Sequence, residues 1–518
     1  MKNDSKILLV TGKRAKEDVR KYSKESDVET EIVTLPVPIA SFINLDILTN
    51  HLSKEDLENV STVIIPGMTE IDIKKARKKL DTEIIKGPKF AADIPIILDN
   101  FEELDLSKEA PADEFLKKSA SKRVEKLISK SRENYEGKSD PNNFEVGKGS
   151  SSVLAGKDFP PRVVAEIVDA PCLSDEEFLN VCRHYVDSGA EILDIGMTAE
   201  ENNSQEIPRL VSLVKDNFDM PVSIDSTDRD EIKTAVDEGV DLVISLDGST
   251  ITDFEGLDIP AVLIPRDSEK DFYPSNPSDR IDYLEKILDE VKSDDYEWIL
   301  ADPILEPIGK GFTDSLTAFR DLKNRRDTSL FMGIGNVVEL FDADSIGMTS
   351  VLVGSAFELG VDLILAVEGS DKTQGNIEEV VQARDMMMLA DKRCSVPKDL
   401  GLDLLRYKEK RKRGLSYDDS LESECEVVEG SSDSDFNKDE KGYFNIFTDG
   451  GKIVAVHNNP RGKNVIIKGK NSQELINEIK DRDLVSEFGH ALYLGRELEK
   501  AEIAIRTGRS YIQDEPIF

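Results

Sequence analysis

The stretch PVSIDSTD, residues 221–228, decides how the chain is read. Val222 and Ile224 alternate with polar neighbours and can be buried, while Asp225 falls at the strand's exit, with Ser226, Thr227 and Asp228 in the loop beyond. One carboxylate at the end of an apolar strand means little, because Asp often caps the helix that comes next. The arrangement recurs, however, through the middle of the chain. Strand patterns follow one another as RVVAEIVD (162–169), AEILDIG (190–196), PVSIDS (221–226), DLVISLDG (241–248), PAVLIPRD (260–267), EWILADP (297–303), SLFMGIGN (329–336) and VDLILAVEG (361–369). Helical patterns such as DEEFLNVCRHYVDSG (175–189) and DRIDYLEKILDEVKS (279–293) separate most of them, and the crossover between the fourth and fifth is short. Eight near-continuous apolar strands alternating with helices predict a closed (β/α)8 TIM barrel over 160–395. An open doubly wound sheet would use the same alternation.

The flanks read differently. KILLVT (6–11), TVIIP (62–66) and IPIIL (94–98) are short apolar runs of buried parallel strands, with the helical pattern IDIKKARKKL (71–80) between them. They predict an N-terminal α/β domain over 1–105, which carries neither GxGxxG nor GxxxxGK[ST] and so no nucleotide motif. Residues 106–159 read as a helical and flexible linker, and 396–441 as a charged spacer. That spacer joins a basic helix, LLRYKEKRKRG (404–414), to an acidic, Ser-rich run. In the last segment, 442–518, YFNIF and KIVAVH pair across TDGG, NVIIKG adds a strand and GHALYLGRELEKAEIAIRTG a helix. This predicts a small C-terminal α+β domain, so the fold class is a TIM barrel flanked by two smaller domains.

Composition narrows the function. The 518 residues carry 104 Asp and Glu against 67 Lys and Arg, a net charge of −37, which argues against a protein that tracks nucleic-acid phosphates. Four cysteines form no CxxC pair and the four histidines are scattered, so neither a disulfide framework nor a zinc or iron–sulfur motif is present. The apolar run in MKNDSKILLVTG is too short to span a membrane and no leader cleavage pattern follows, so a soluble cytoplasmic protein is expected.

The strand exits of a (β/α)8 barrel line one mouth, where active sites sit. Here they are Asp169, Asp194, Asp225, Asp247, Asp302, Asn336 and Glu368. A divalent cation, a polyol or a flat heterocycle rich in N–H donors would suit such a rim. The absence of histidine weighs against a metal, although an oxygen-only magnesium site involving Asp169 stays open. A carboxylate that accepts two adjacent N–H donors discriminates well, since leaving it unpaired costs ~1–3 kcal/mol. The donor-rich heterocycle therefore matches best.

The order GAEILDIG (189–196), PVSIDS (221–226), ILADP with a following GKG (299–311) and GIGN (333–336) resembles the pterin-binding barrel superfamily. That superfamily includes dihydropteroate synthases and methyltetrahydrofolate:corrinoid methyltransferases. An extra N-terminal domain before the barrel looks like the archaeal dihydropteroate synthase-related proteins of folate and tetrahydromethanopterin metabolism. The resemblance implies that a reduced pterin is substrate or cofactor and that Asp225 and Asp302 contact it. Asn336 would lie beside its methyl-bearing nitrogen, with Asp194, Asp247 and Lys310 completing the site. Departures are as informative. The synthase strand end N-x-TPDSF is replaced by Val168-Asp169-Ala170-Pro171, the GGESTRPG loop by GMTAEEN (196–202), the SRK motif by GIGN and the RxH motif by AVEGS (366–370). Ser245 stands where both families place an asparagine, with Asp247 nearby to substitute. Only Arg266 and Lys310 offer positive charge. Two transferase activities are implied: joining a dihydropterin to an arylamine with magnesium, or methyl transfer from a methyltetrahydropterin to a corrinoid protein. A non-catalytic pterin-binding subunit is a third reading. Barrels of this kind often pair through wall helices, so a homodimer is expected.

Overall fold

The computed structural model describes residues 6–99, 101, 112, 122, 124–127, 129–130, 142–199, 202–290, 296–406, 425–430 and 438–517. The chain divides into two compact units, Met1–Tyr407 and Lys408–Phe518.

The first unit opens with a parallel sheet of four strands, β1 (Lys6–Thr11), β2 (Thr30–Thr34), β3 (Val60–Ile65) and β4 (Glu83–Lys86), in the order β2-β1-β3-β4. The run IPIIL, expected as a strand, is helical over Ile94–Asp99. Its Ile94, Ile97 and Leu98 lie at helical spacing and are buried, and Pro95 fits a first helical turn. An apolar run this short carries no period of its own, so tertiary packing decides its form.

The barrel follows as expected. Its strands are β7 (Arg162–Ile167), β8 (Ile192–Gly196), β9 (Val222–Asp225), β10 (Leu242–Leu246), β11 (Leu257–Leu263), β12 (Tyr296–Ala301), β13 (Ser329–Gly333) and β14 (Leu363–Val367), all parallel, with β14 closing on β7. Period-two alternation gives every strand an outer and an inner row. Val163, Ala165, Leu193, Ile195, Val222, Ile224, Leu330 and Met332 face outward and share one core with the surrounding helices. Val164, Ile192, Leu242, Ile244, Val262, Leu300, Phe331 and Leu363 fill the interior. No helix lies between β10 and β11, in line with the short crossover.

The expected linker over 106–159 is, at its end, part of the barrel. Residues 143–156 form an antiparallel hairpin of β5 (Asn143–Val146) and β6 (Val153–Gly156). Its Phe144, Val146 and Ala155 pack into the interior core, and the Phe144 ring stacks on Trp298 at 5.2 Å. Hydrophobic burial thus ties down a stretch that its Gly, Ser and Lys content marks as loose. The last barrel helix, Asn376–Lys392, is followed by a segment that docks on the N-terminal sheet domain rather than running free. Arg393 pairs with Asp93 at 3.2 Å and lies 4.0 Å from the Phe90 ring, and Lys89 pairs with Asp399 at 3.0 Å. The basic stretch beyond Arg406 lies outside the described residues, as does most of the acidic run.

The second unit is an antiparallel sheet of β15 (Tyr443–Asp449), β16 (Lys452–Asn458) and β17 (Val465–Gly469). It is packed against helices Ser472–Asp481 and Phe488–Thr507. Among the described residues no helix is long and apolar enough to cross a membrane.

Candidate functional site

Three adjacent strands bring three inward carboxyl groups together at the mouth. Glu166 on β7 pairs in register with Asp194 on β8, and Asp194 with Ser223 on β9, two residues before Asp225. Asp194 is fully buried; Ser223 Oγ donates to its Oδ1 at 2.6 Å, while its Oδ2 has no hydrogen-bond partner. Burial pushes all three carboxyls upward, Glu166 to about 8, and neighbouring acids raise Glu166 and Asp194 further. Asp225 and Asp169 add to the rise at Glu166, and Asp225 and Glu166 to that at Asp194. Ser245 relieves Asp225 by hydrogen bonding to it. Like charges at this spacing in a poorly solvated site cannot all be ionised, so the group retains protons at neutral pH.

Ser245 reaches Asp225 because its own strand is irregular. The register of β10 against β11 shifts between Val243 and Leu246, and Ser245 has φ +69°, a left-handed conformation costly for a residue with a Cβ. Asp247 does not substitute for the missing asparagine. Its Oδ1 accepts from the Ser249 amide (2.8 Å), the Ser249 hydroxyl (2.7 Å) and the Thr250 amide (3.1 Å), and its Oδ2 from the Ser268 amide (2.8 Å) and hydroxyl. Every lone pair is engaged in holding the loops after β10 and β11.

Across the mouth, Asp302 follows β12 and is 8% exposed. The Ile304 amide donates to its Oδ1 at 2.8 Å, and Ile304 takes φ +65° to do so. Burial pushes the Asp302 carboxyl up to about 7; the Ile304 amide opposes the rise, Asp225 adds to it and Arg280 opposes it. Asn336 lies not on a strand but in the helical turn Gly335–Val338, where its Nδ2 donates to the Leu305 carbonyl at 3.1 Å. It is therefore tied to the loop that carries Asp302.

Other expected residues are engaged elsewhere or stand exposed. Glu368 accepts the Ile377 amide at 3.1 Å and meets His184 Nε2 at 2.9 Å, so it anchors the wall helices. Lys310 stands exposed on a turn, its amide bonded to the Pro307 carbonyl at 3.0 Å, and Arg266 is exposed. Asp169 is exposed with φ +49°, and among the described residues no three His, Cys, Asp or Glu side chains are arranged to hold a metal ion. The rim does not fit a magnesium site built on Asp169.

Two site residues lay outside the sequence reading. Glu166 had a signal: it shares the inward row with Val164 and stands one residue before the end of β7. Arg280 had none, since it reaches the site from the helix Pro277–Glu290 only in three dimensions.

Residues 168–364 match the model of the pterin binding enzyme family, and residues 438–514 match a second family, PterinBD-DUF4346. Over 536 residues the chain is 33% identical to an uncharacterized protein of Methanocaldococcus jannaschii, with the whole of both chains covered. The chain belongs to the pterin-binding enzyme family. The expected resemblance to the pterin-binding barrel superfamily holds over residues 168–364. Among solved structures, the dihydropteroate synthase of Yersinia pestis with a pterine-sulfa conjugate is 16% identical, with a TM-score of 0.37 over 46% of this chain and 96% of that one. Dihydropteroate synthase from Thermus thermophilus is also 16% identical, with a TM-score of 0.36 over 44% and 94% of the two chains. In this barrel Glu166 places an inward carboxyl on the first strand, in register with Asp194 on the second.

Proposed function

We propose that the barrel mouth binds a reduced pterin and that the protein is a pterin-dependent transferase. The observation that carries this reading is the convergence of Glu166, Asp194, Asp225 and Asp302, two of which stand in stretches that resemble the superfamily's pterin motifs. Such a mouth complements a heterocycle with both donor and acceptor edges. An ionised Asp302 accepts the 2-amino and N3–H donors of the pterin. The protonated carboxyls of the Glu166 and Asp194 pair donate to ring acceptors. Asn336, exposed beside the same loop, has an amide oxygen left to accept.

Two transfers suit the bound pterin. In the synthase type, an arylamine displaces pyrophosphate from the pterin methylene, and the protein's task is to align the reactants and stabilise the leaving anion. In the second, a methyl group leaves the pterin nitrogen for a corrinoid or thiol acceptor, and the protein's task is to protonate that nitrogen. One observation favours the second. The mouth carries proton-holding carboxyls, while the arginines of the synthase loops are replaced and Lys310 and Arg266 are exposed. Calorimetric titration with tetrahydropterin, with and without pyrophosphate and magnesium, separates the readings. Tightening by pyrophosphate supports the synthase type; indifference to it supports methyl transfer; absence of pterin binding sinks both.

A further inference from the structure

Arg280 is 2% exposed on the helix Pro277–Glu290, a buried arginine in a strongly acidic chain. Its Nε donates to the Pro274 carbonyl at 2.9 Å, and one terminal nitrogen forms an ion pair with Glu306. The guanidinium lies 4.4 Å from the centre of the Tyr273 ring, and the Tyr273 hydroxyl donates to the same Glu306 oxygen at 3.0 Å. Its Nη1 is buried without a hydrogen-bond partner. Glu306 belongs to the loop that begins at Asp302. Its amide donates to Ser315 Oγ at 3.0 Å, and the carbonyl before it accepts from Asn336. Arg280, Tyr273 and Glu306 therefore clamp the 302–311 loop to the helix after β11. The groups whose charge bears on Asp302 are Asp225 from β9 and Arg280 itself, with the Ile304 amide from its own loop. Tyr273 also feels the Asp302 charge.

Resting on the pterin-site reading, we infer that Arg280 is a positioning residue for pterin recognition. Its guanidinium fixes the loop that carries Asp302 and supplies the positive charge that favours the carboxylate able to accept the pterin's donor edge. Among the described residues Arg280 is the cation that acts on Asp302, and together with the stronger Ile304 amide it offsets Asp225. A spare buried N–H on a guanidinium also fits this use, since part of its charge stays available to the neighbouring carboxylate instead of being matched within the clamp.

The test uses the full chain with Arg280→Met and Arg280→Lys, and reads two quantities. The first is the midpoint of the Asp302 carboxyl titration in ligand-free protein by infrared difference spectroscopy, assigned with Asp302→Asn. The second is the affinity for tetrahydropterin across the same pH range. The expected midpoint is about 7 in the parent chain. It should rise by about one pH unit in Arg280→Met and return towards the parent value in Arg280→Lys. Affinity of the Met variant should fall about fivefold at neutral pH and recover once Asp302 ionises at higher pH. A midpoint unmoved by the Met substitution, or a loss of affinity equal at every pH, overturns the inference in favour of a purely mechanical clamp. A midpoint that moves in a chain binding no pterin at any pH overturns the role in recognition and the site reading with it. If the Met variant does not fold, the Lys variant decides: a parent-like midpoint with loosened binding supports the charge, and a midpoint shifted as far as loss of the cation predicts contradicts it.

Discussion

The two ends of the same barrel treat charge in opposite ways. At the floor, Glu191 sits just before β8 between two buried arginines: Arg162 Nη1 lies 2.8 Å from its Oε1, and Arg384 pairs with its Oε2. Burial alone would push this carboxyl up, but Arg384 and Arg162 outweigh it and hold the group below its ordinary range. Arg162 also bonds through Nε to the Leu154 carbonyl of the hairpin plug at 2.7 Å. At the mouth, on the same strands, burial finds no such partners near Glu166 and Asp194 and the carboxyls keep their protons. Charge that is fully paired serves the fold, whereas charge left short of partners is stability withheld for a ligand.

The largest test of that contrast is at the floor. Glu191→Gln leaves two buried guanidinium groups without their shared carboxylate and should cost ~3–5 kcal/mol in denaturant unfolding of the first unit. Pterin affinity of the folded fraction should be unchanged; a loss below ~1 kcal/mol would break the contrast.

The mouth should respond with the opposite sign. Glu166 has a raised native midpoint of about 8 against an ordinary value of 4.5, so the native state holds a proton that the unfolded chain releases between these limits. Its contribution is therefore fully present below pH 4.5 and lost as pH rises through about 8. Glu166→Gln should remove that slope and stabilise the protein by about 2 kcal/mol at the alkaline end, discounted for partial exposure. Urea unfolding across the pH range checks it, and a variant that keeps the parent slope refutes the assignment.

How far these ends could be read in the sequence follows from what each depends on. The barrel was legible because strand after strand repeats one apolar pattern, and Asp194, Asp225 and Asp302 because each closes such a pattern. The plug at 143–156 was not, because Phe144 and Val146 sit among polar residues and acquire meaning only beneath Trp298. Helix Ile94–Asp99 was misread because six residues are too few to show a period. Asp247 was misassigned because position cannot reveal that Ser249, Thr250 and Ser268 had already taken its lone pairs.

That last point yields the next prediction. Asp247→Ala should cost about 2 kcal/mol of stability through lost loop hydrogen bonds while changing pterin affinity little. An equally stable variant with weakened binding would return Asp247 to the site. The smallest effect is expected at Ser223→Ala, which removes the 2.6 Å bond to Asp194 and costs about 1 kcal/mol. A neutral result would mean that Asp194 finds another donor.

The most direct measurement is calorimetric titration of the full chain and of Asp302→Asn with tetrahydropterin at neutral pH. The account predicts binding to the parent chain and a loss of roughly 100-fold in the variant, since the asparagine amide presents a donor to the pterin's donor edge. Equal affinity in the two proteins would contradict the assignment of this mouth as a pterin site.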